Sequence, residues 1–310
     1  MISVADIEHA RERLRPYLPP TPLEEANSWP NLWLKLENAN RTHSFKCRGA
    51  LNALLTMSDS ARARGVVAAS SGNHAQGVAF AAHLLGVRAR IVMPESAARR
   101  KVAGVRRLGA EPILFGDTYD EAEAEARRLC REEGATWLSP YADPAVIAGA
   151  GTVGLEILEQ LPSVGRVVVP VGGGGLISGI ALAVKAARPD IEIVGVNALV
   201  SPDMYNVLYE LDLPLNHDSL ADALPGAIEE GSITRRIVSE VVDRIVLVSE
   251  DDLRLSMQIM AFDQGWIAEG GGAASLAAVE NGQIELDRPT VVVISGGNVD
   301  VDVLRDVLGV

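Results

Sequence analysis

The sequence is short of residues that several classes of protein require. Its only two cysteines, Cys47 and Cys130, lack the paired spacing of a zinc site or a disulfide framework, which fits a reducing cytoplasm. Basic residues are outnumbered, with 28 Lys and Arg against 41 Asp and Glu, so the chain lacks the net positive face that nucleic acid requires. No hydrophobic run reaches membrane-spanning length, and the amino end mixes charges with apolar residues. We therefore expect no membrane partner and no signal peptide.

The residues that are abundant indicate a globular α/β protein. Hydrophobic residues make up 48% of the chain, which is enough for a large buried core. Short β-branched runs alternate with amphipathic stretches of helical period, a pattern typical of parallel strands covered by helices. A polar, proline-bearing stretch at 139–144 separates two series of strands, which predicts a smaller domain set within a larger one. The predicted strands are 32–36, 66–69, 89–93, 112–115, 167–171, 191–196, 245–248 and 291–294.

A glycine run forms the first candidate binding loop. The strand 167–171 continues directly into Gly172, Gly173, Gly174 and Gly175, and a helical pattern begins at Leu176. Without Cβ atoms, the backbone N–H groups of such a turn can converge on an anion at the amino end of a helix. A phosphate is the expected ligand, and a flexible turn is the alternative.

The same arrangement of strand, loop and helix recurs earlier in the chain. The strand 66–69 leads into a polar loop that offers hydroxyls, an amide and free N–H groups, which suit a small carboxylate. Capping of the helix by Ser or Asn is the alternative. Two such loops could hold a phosphorylated cofactor and an amino acid together. The second loop consists of Ser70, Ser71, Gly72, Asn73 and His74.

Lys46 is the candidate nucleophile. Ser44 is predicted to be the N-cap of a helix that holds Phe45 and Lys46 in its first turn. A cation there opposes the helix dipole, which lowers its pKa and favours the neutral amine that imine formation requires. Phe45 could pack on an aromatic ring. A solvated surface lysine is the alternative.

Four motifs in this order resemble those of the fold type II (tryptophan synthase β-like) pyridoxal-phosphate enzymes, and most closely the serine/threonine dehydratase and serine racemase family. The resemblance spans nearly the whole chain. It implies an α/β fold of two domains with twisted, mostly parallel sheets flanked by helices and the cofactor in the cleft between them. The larger, cofactor-binding domain would comprise residues 1–64 plus 143–310, and the small, mobile, substrate-binding domain residues 65–142. A homodimer is also implied. The motifs are Ser44-Phe45-Lys46-x-Arg48-Gly49-Ala50, Ser70-Ser71-Gly72-Asn73-His74, Gly172 to Gly175 and Ser295-Gly296-Gly297-Asn298.

The resemblance also implies roles for single residues around pyridoxal 5'-phosphate. Lys46 would form the internal aldimine, Phe45 would cover one face of the pyridine ring, Asn73 would bond its 3-hydroxyl and Ser295 would face its nitrogen. Glu269 matches a family acid near the cofactor whose role the motifs leave open. The phosphate would be held by Gly172, Gly173, Gly174, Gly175 and the N–H of Leu176. The substrate carboxylate would be received by Ser70, Ser71, Gly72, Asn73 and His74.

The chemistry that these groups imply is elimination from a small β-hydroxy amino acid. Lys46, once freed, would be the base at Cα, and Ser71 matches the second base of serine racemases. A hydroxyl at Ser295 does not hold the ring nitrogen protonated as a carboxylate would, which favours prompt loss of the β-hydroxyl. We therefore expect an ammonia-lyase that converts threonine or serine to a 2-oxo acid and ammonia. An amino-acid racemase and a hydroxyaspartate or hydroxyectoine-pathway dehydratase are the alternatives.

Two positions depart from the family pattern. Family members with a divalent-cation site carry a glutamate where this chain has Asn197, although Asp203 matches the second carboxylate. One carboxylate of two makes a weak site for Mg²⁺ or Ca²⁺, so cation activation stays open. His43 stands where a glycine commonly follows the threonine, and it is expected to be a surface residue.

Other protein classes fit the sequence less well. A nicotinamide-dependent oxidoreductase would need an acidic residue for the ribose after strand 191–196, and the chain has Asn197 there. A non-catalytic sensor would have no use for Lys46. A sulfhydrylase of the same fold group usually carries threonine at the position of His74, which favours a dehydratase.

Overall fold

The computed structural model describes residues 2–97, 99–216, 218–226, 228 and 231–309. Within them the chain forms ten strands, thirteen α-helices and one 3-10 helix. The strands are β1 (Leu23–Glu25), β2 (Leu32–Leu36), β3 (Val66–Ala69), β4 (Ala89–Met93), β5 (Glu111–Leu114), β6 (Thr136–Trp137), β7 (Arg166–Pro170), β8 (Glu192–Ala198), β9 (Arg244–Val248) and β10 (Thr290–Ile294). The helices are α1 (Val4–Leu14), the 3-10 helix (Glu37–Ala39), α2 (Lys46–Thr56), α3 (Asp59–Arg64), α4 (Asn73–Leu85), α5 (Arg99–Arg107), α6 (Tyr119–Glu133), α7 (Pro144–Gln160), α8 (Gly175–Ala187), α9 (Asp203–Tyr209), α10 (Ile233–Val241), α11 (Glu250–Phe262), α12 (Gly270–Glu280) and α13 (Val301–Leu308).

The larger sheet has six strands in the order β1-β2-β10-β7-β8-β9. All neighbours in it pair in parallel except β1, which runs antiparallel to β2 at the edge. Every residue of β7 and β10 is buried, as expected for valine-rich strands that helices cover on both faces. Because β2, β10 and β7 are parallel neighbours, the loops that follow their carboxyl ends meet at one edge of the sheet.

The smaller sheet has four parallel strands in the order β5-β4-β3-β6. All four strands come from one continuous part of the chain, residues 66–137. Helices α2 and α4 pack on one face of it. Cys47, Leu51 and Leu54 of α2 share a buried apolar core with Val66 and Ala79. The first residue of α2, Lys46, therefore lies at the junction of the two sheets.

Helix α7 brings the lysine helix and the glycine-loop helix close together through glycine contacts. A Cβ on Gly149 would lie 2.6 Å from the carbonyl oxygen of Arg48 in α2. A Cβ on Gly151 would lie 2.8 Å from the carbonyl oxygen of Gly179 in α8. Side chains larger than hydrogen at these positions would separate the helices, so α7 sets the spacing between α2 and α8.

The α/β fold with mostly parallel sheets flanked by helices is confirmed. The predicted strands lie within one or two residues of the observed ones. The prediction that Ser44 caps the lysine helix is wrong. Helix α2 begins at Lys46 after a helical Phe45 without a side-chain cap, and the backbone of Ser44 forms a β-bridge with Gly296 instead. Among the described helices, none combines the length and apolar character needed to span a bilayer.

Candidate active site

Lys46 lies beside a bend of the chain between the two sheets. Its Nζ donates a hydrogen bond to the carbonyl oxygen of Pro140 at 2.9 Å and lies 5.0 Å from the centre of the Phe45 ring. Burial lowers the pKa of Lys46 to about 8, although the negative charge of Glu269 opposes the shift. The predicted direction of the pKa shift is thus confirmed, but burial is its principal cause. The alternative of a solvated surface lysine is wrong.

A buried cluster of charges anchors the helix that carries Lys46. Arg48, which is 2% exposed, donates to Glu37 at 2.8 Å and to Glu156 of α7 at 2.5 Å. Lys35 of β2 donates to the same Glu156 at 2.6 Å, so its amine is already engaged. Two cations therefore face two carboxylates with their hydrogen bonds satisfied, which is the condition under which buried charges are tolerated. The cluster fixes α2 against the 3-10 helix, β2 and α7.

The glycine loop has the geometry of an anion site. Gly174 has a φ of +84° and precedes helix α8, whose first turn receives no side-chain cap. The N–H groups of that turn, including that of the buried Leu176, are therefore free of a side-chain acceptor. A Cβ on Gly173 would overlap the ring of Tyr141, and one on Gly175 would lie 2.8 Å from the carbonyl oxygen of Tyr141. Both the conformation and the close packing require glycine here.

One segment, residues 138–141, contacts the lysine and both loops. The carbonyl oxygen of Leu138 lies 3.0 Å from Nε2 of His74, that of Pro140 accepts from Lys46, and Tyr141 packs on the glycine loop. From the sequence this segment is only a polar boundary between strand series. A Pro-Tyr pair among polar residues is the signal that could have drawn attention to it.

The polar loop after β3 leads directly into α4. Gly72 is the N-cap, and no side chain caps the helix, so the alternative of capping by Ser or Asn is wrong. The hydroxyl of Ser70 instead accepts from the N–H of Gly72 at 3.2 Å, which holds the loop in a tight turn. Ser71 lies half-buried on this turn. The uncapped amino end of α4 leaves backbone donors for a carboxylate.

His74 is 3% exposed, and burial, followed by the charge of Lys46, lowers its pKa to about 3. The ring is therefore neutral at physiological pH. Because Nε2 faces the carbonyl oxygen of Leu138, Nε2 carries the proton and Nδ1 is an acceptor. A contribution of His74 to carboxylate binding would consequently come from its backbone N–H.

The loop after β10 connects the lysine to the polar loop. The N–H of Phe45 donates to the carbonyl oxygen of Ser295 at 3.1 Å, and Ser295 is 6% exposed. Asn298, three residues further on, donates to Oδ1 of Asn73 at 2.7 Å. Nδ2 of Asn73 donates to Glu269 at 2.5 Å. Phe45, Lys46, Asn73 and Ser295 therefore lie together, while their roles toward the cofactor stay predictions. Sequence reasoning missed the contact of Asn298 with Asn73, although Asn298 closes a recognised motif.

The possible cation site is arranged around hydrogen bonds within the protein. Nδ2 of Asn197 donates to the carbonyl oxygen of Val171 at 2.7 Å, and its Oδ1 accepts from the N–H of Tyr205 at 2.9 Å. Asp203 accepts from the hydroxyl of Ser201 at 2.6 Å. In the described ranges no group of three or more His, Cys, Asp or Glu side chains is placed to hold a metal. Weak activation by a divalent cation stays a prediction.

These features are those of a class of protein: α/β enzymes with a phosphorylated cofactor, for which a helix with uncapped N–H groups and a half-buried lysine amine are suited. Residues 14–296 match the model of the pyridoxal-phosphate dependent enzyme family. The chain belongs to this family, and its cofactor is pyridoxal phosphate. The uncapped N–H groups of α8 and the partly neutral amine of Lys46 fit the phosphate and the aldehyde of that cofactor.

Similar proteins cover nearly the whole chain. The catabolic L-threonine dehydratase TdcB of Escherichia coli is 39% identical over 99% of this chain and 96% of its own. The structure of threonine deaminase isoform 2 from Solanum lycopersicum superimposes with a TM-score of 0.91, at 34% identity over 99% of this chain and 91% of its own. Serine racemase from Dictyostelium discoideum gives a TM-score of 0.89, at 32% identity over 97% and 99% of the two chains.

Proposed function

We propose that the protein is an ammonia-lyase that converts L-threonine, or another small β-hydroxy L-amino acid, to a 2-oxo acid and ammonia. The observation that carries this proposal is the position of Lys46: its half-buried amine, with a pKa of about 8, lies against the segment 138–141, which contacts both the glycine loop and the loop after β3. The likeness to threonine dehydratases over 99% of the chain supports the reaction and the choice of substrate.

The residues that would hold the cofactor follow four strands: β2, β10 and β7, which are neighbours in the larger sheet, and β3 of the smaller sheet. The phosphate would be bound by the backbone of Gly172 to Gly175 and the N–H of Leu176, while Asn73 and Ser295 would meet the polar atoms of the ring and Phe45 one of its faces. When bound, pyridoxal phosphate acidifies the Cα–H of an amino acid that is attached to it. The protein itself supplies binding, orientation and the movement of protons.

The loop after β3 would orient the substrate. Its uncapped helix start offers N–H groups to the carboxylate, and the hydroxyl of Ser71 adds a further donor. Held there, the substrate would present its Cα–H to Lys46. The neutral form of His74 avoids a second fixed positive charge beside the lysine.

Lys46 would act as the base at Cα. Its pKa of about 8 makes the neutral amine accessible near neutral pH, and the carbonyl oxygen of Pro140 accepts one of its hydrogens. Loss of the proton from Cα and of hydroxide from Cβ amounts to loss of water. The elimination leaves an enamine, which becomes an imine when Cβ takes up a proton and the nitrogen gives one up. Addition of water to the C=N bond of that imine then releases the 2-oxo acid and ammonia.

A racemase is the second candidate function. It is favoured by the likeness to serine racemase and by Ser71, which matches the second base of serine racemases. A hydroxyl of ordinary pKa is a poor base without an activating partner, so racemisation is proposed as a minor activity.

A panel of hydroxy amino acids tests the proposed reaction. L-Threonine, L-serine, 3-hydroxyaspartate, phenylserine and their D-isomers would be incubated with the holoenzyme, and release of 2-oxo acid and ammonia would be measured. We expect the highest kcat/KM with a small L-substrate. Lys46→Ala is the control, because it preserves the loops and removes the base. Release of 2-oxo acid at the same rate by this variant would contradict the proposal.

Three further features of the organisation are proposed with this function. Residues 65–142 would move as a small domain, and two chains would form a homodimer. Support for the dimer comes from large apolar side chains exposed on and after α11, namely Leu255, Phe262 and Ile267 at 43%, 66% and 43%. Sedimentation velocity at several protein concentrations would test the dimer, and a monomer throughout would contradict it.

The unpaired Cys47 and Cys130 support a cytoplasmic location.

A further inference from the structure

Glu269 is a buried carboxylate that the reaction described above does not use. It precedes helix α12 as its N-cap residue, but its side chain makes no capping bond and is 4% exposed. Instead, Oε1 accepts a hydrogen bond from Nδ2 of Asn73 at 2.5 Å. A Cβ on Gly296 would fall directly against this carboxylate, so the glycine makes room for it. The backbone N–H of Asn298 also donates to this carboxylate. A buried carboxylate held by Asn73 and Asn298 points to a role for the amide of Asn73.

Asn298 fixes the other end of the same amide. Its Nδ2 donates to the backbone carbonyl oxygen of Thr42 at 2.8 Å and to Oδ1 of Asn73 at 2.7 Å. A backbone carbonyl can only accept, so the atom of Asn298 at this position is the nitrogen. Oδ1 of Asn73 must therefore face Asn298, and Nδ2 must face the carboxylate of Glu269. The hydrogen-bond partners therefore determine the orientation of both side-chain amides, that of Asn73 and that of Asn298.

We infer that Glu269 and Asn298 are positioning residues that hold the amide of Asn73 with its remaining N–H directed toward the 3-hydroxyl of the cofactor. The inference rests on the proposed function, in which Asn73 meets that hydroxyl. Nδ2 of Asn73 has two hydrogens, and Glu269 occupies one of them. If the amide were free to turn over, it would present an acceptor in place of a donor, and the 3-oxygen of the cofactor could then bond to it only in its protonated form.

Glu269 also gives solvent protons a route to this network. It lines a cavity of about 370 Å³ together with four other acidic residues, so its carboxyl group can exchange protons with the exterior. Burial, followed by the charge of Asp222, raises the pKa of Glu269 to about 7, while Asn73 and the charge of Lys101 oppose the shift. On the inner side, the charge of Glu269 acts on Lys46. The other acidic residues of the cavity are Asp218, Asp222, Glu250 and Asp300.

Titration of Glu269 near neutral pH should therefore alter the bound cofactor. As the pH rises through about 7, the carboxylate gains a full charge and holds Asn73 more strongly. The ratio of the visible absorbance bands of the holoenzyme, measured without substrate from pH 5.5 to 9, should change with an apparent midpoint near that value. In Glu269→Gln the acceptor remains and the charge is lost, so this change should disappear.

Cofactor affinity tests the positioning itself. Apoprotein would be titrated with pyridoxal phosphate, and binding followed by protein fluorescence. We expect Asn73→Ala and Asn298→Ala each to weaken binding by about tenfold, as loss of one hydrogen bond to a charged or polar group does. Because Asn298 acts through Asn73, the double variant should bind no more weakly than Asn73→Ala alone.

Glu280→Gln is the matched control, since it removes one carboxylate from the other end of α12. It should retain both the wild-type pH titration and the wild-type affinity. The inference would be overturned if the affinity of the Asn73/Asn298 double variant for pyridoxal phosphate fell by the product of the two single losses. An unchanged pH titration in Glu269→Gln would overturn it as well. These outcomes are independent of the proposed reaction, which would fail instead if borohydride did not attach the cofactor to Lys46.

Discussion

The two ligand loops share one architecture and differ in their side chains. Each follows the carboxyl end of a parallel strand and leads into a helix of thirteen residues without a side-chain cap. The glycine loop before α8 presents only backbone, closed by Tyr141 on one side and by Met204 and Thr234 on the other. The loop before α4 carries hydroxyl, amide and imidazole groups, with buried partners at Leu138 and Glu269.

The difference shows how one local structure can serve two ligands. A phosphate is a compact anion, and converging N–H groups with a helix dipole suffice to bind it. A substrate must be oriented relative to one base, and that requires side chains whose rotamers and protonation states are fixed by neighbours. We therefore expect changes in the glycine loop to alter cofactor affinity, and changes in the polar loop to alter turnover and stereochemistry.

Lys46 serves both loops, so its replacement should have the largest effect. Lys46→Ala should lower kcat by at least about a thousandfold, because the general base and the point of covalent attachment are lost together. Borohydride reduction of the wild-type holoenzyme, followed by mass analysis of peptides, should place the label on Lys46. A label on Lys35, whose amine is engaged by Glu156, or on Lys101 would contradict the assignment.

The same lysine predicts how cofactor attachment depends on pH. Only the neutral amine attacks an aldehyde, and the pKa of Lys46 is lowered to about 8. The rate at which apoenzyme and pyridoxal phosphate form the covalent product should therefore rise about tenfold per pH unit below that value and level off above it. Lys185→Ala, which removes a lysine paired with Asp243, should leave the profile unchanged. A rate that still rises steeply between pH 9 and 10 would contradict the lowered pKa.

Gly173→Ala tests the loop that is made of backbone alone. The added Cβ would overlap the ring of Tyr141, and overpacking of this kind should weaken cofactor binding by about ten- to a hundredfold. At saturating cofactor the KM for substrate should stay close to wild type. Gly104→Ala is the matched control, because apart from its chain neighbours and the backbone of its own helix, no described atom lies within 4 Å of the Cβ it would add. If Gly173→Ala raised the KM for substrate by the same factor as the Kd of the cofactor, the two loops would not bind their ligands independently.

Ser71→Ala tests the loop that depends on side chains. We expect elimination from the L-substrate to continue at about a tenth of the wild-type kcat/KM, since Lys46 remains and one hydrogen bond to the carboxylate is lost. Racemisation, and turnover of the D-substrate, should disappear. The comparison is Ser70→Ala, whose hydroxyl is engaged by the N–H of Gly72 and should affect both enantiomers alike. Equal loss of both activities in Ser71→Ala would leave Ser71 with a binding role only.

Sequence patterns predicted the parts of the structure that are determined locally. The glycine run between a valine-rich strand and a helix, and the polar loop before α4, are readable because strand, turn and helix follow one another. The three-residue β1 and two-residue β6 are too short for a periodic signal. The start of α2 was predicted incorrectly because residues 44 and 45 pair with Gly296 and Ser295, which lie some 250 positions away. The contact of Asn298 with Asn73 is distant in the same way.

The smallest expected effect lies in the loop before Lys46, outside both ligand loops. His43 is exposed, as predicted, and has a φ of +54°, in the left-handed region that favours glycine. Its backbone N–H donates to the carbonyl oxygen of Asn40 and its carbonyl oxygen accepts from the N–H of Gly297, both at 2.9 Å, so the turn does not depend on the imidazole.

His43→Gly should relieve about 1–2 kcal/mol of backbone strain and lose about 0.5–1 kcal/mol to the greater entropy of the unfolded chain. The net result is a gain of about 0.5–1 kcal/mol in the free energy of unfolding, measured by urea denaturation of the holoenzyme. His43→Ala removes the imidazole but keeps the strain, so it should not be stabilised. Equal stability of the two variants would mean that the turn at residue 43 stores no strain.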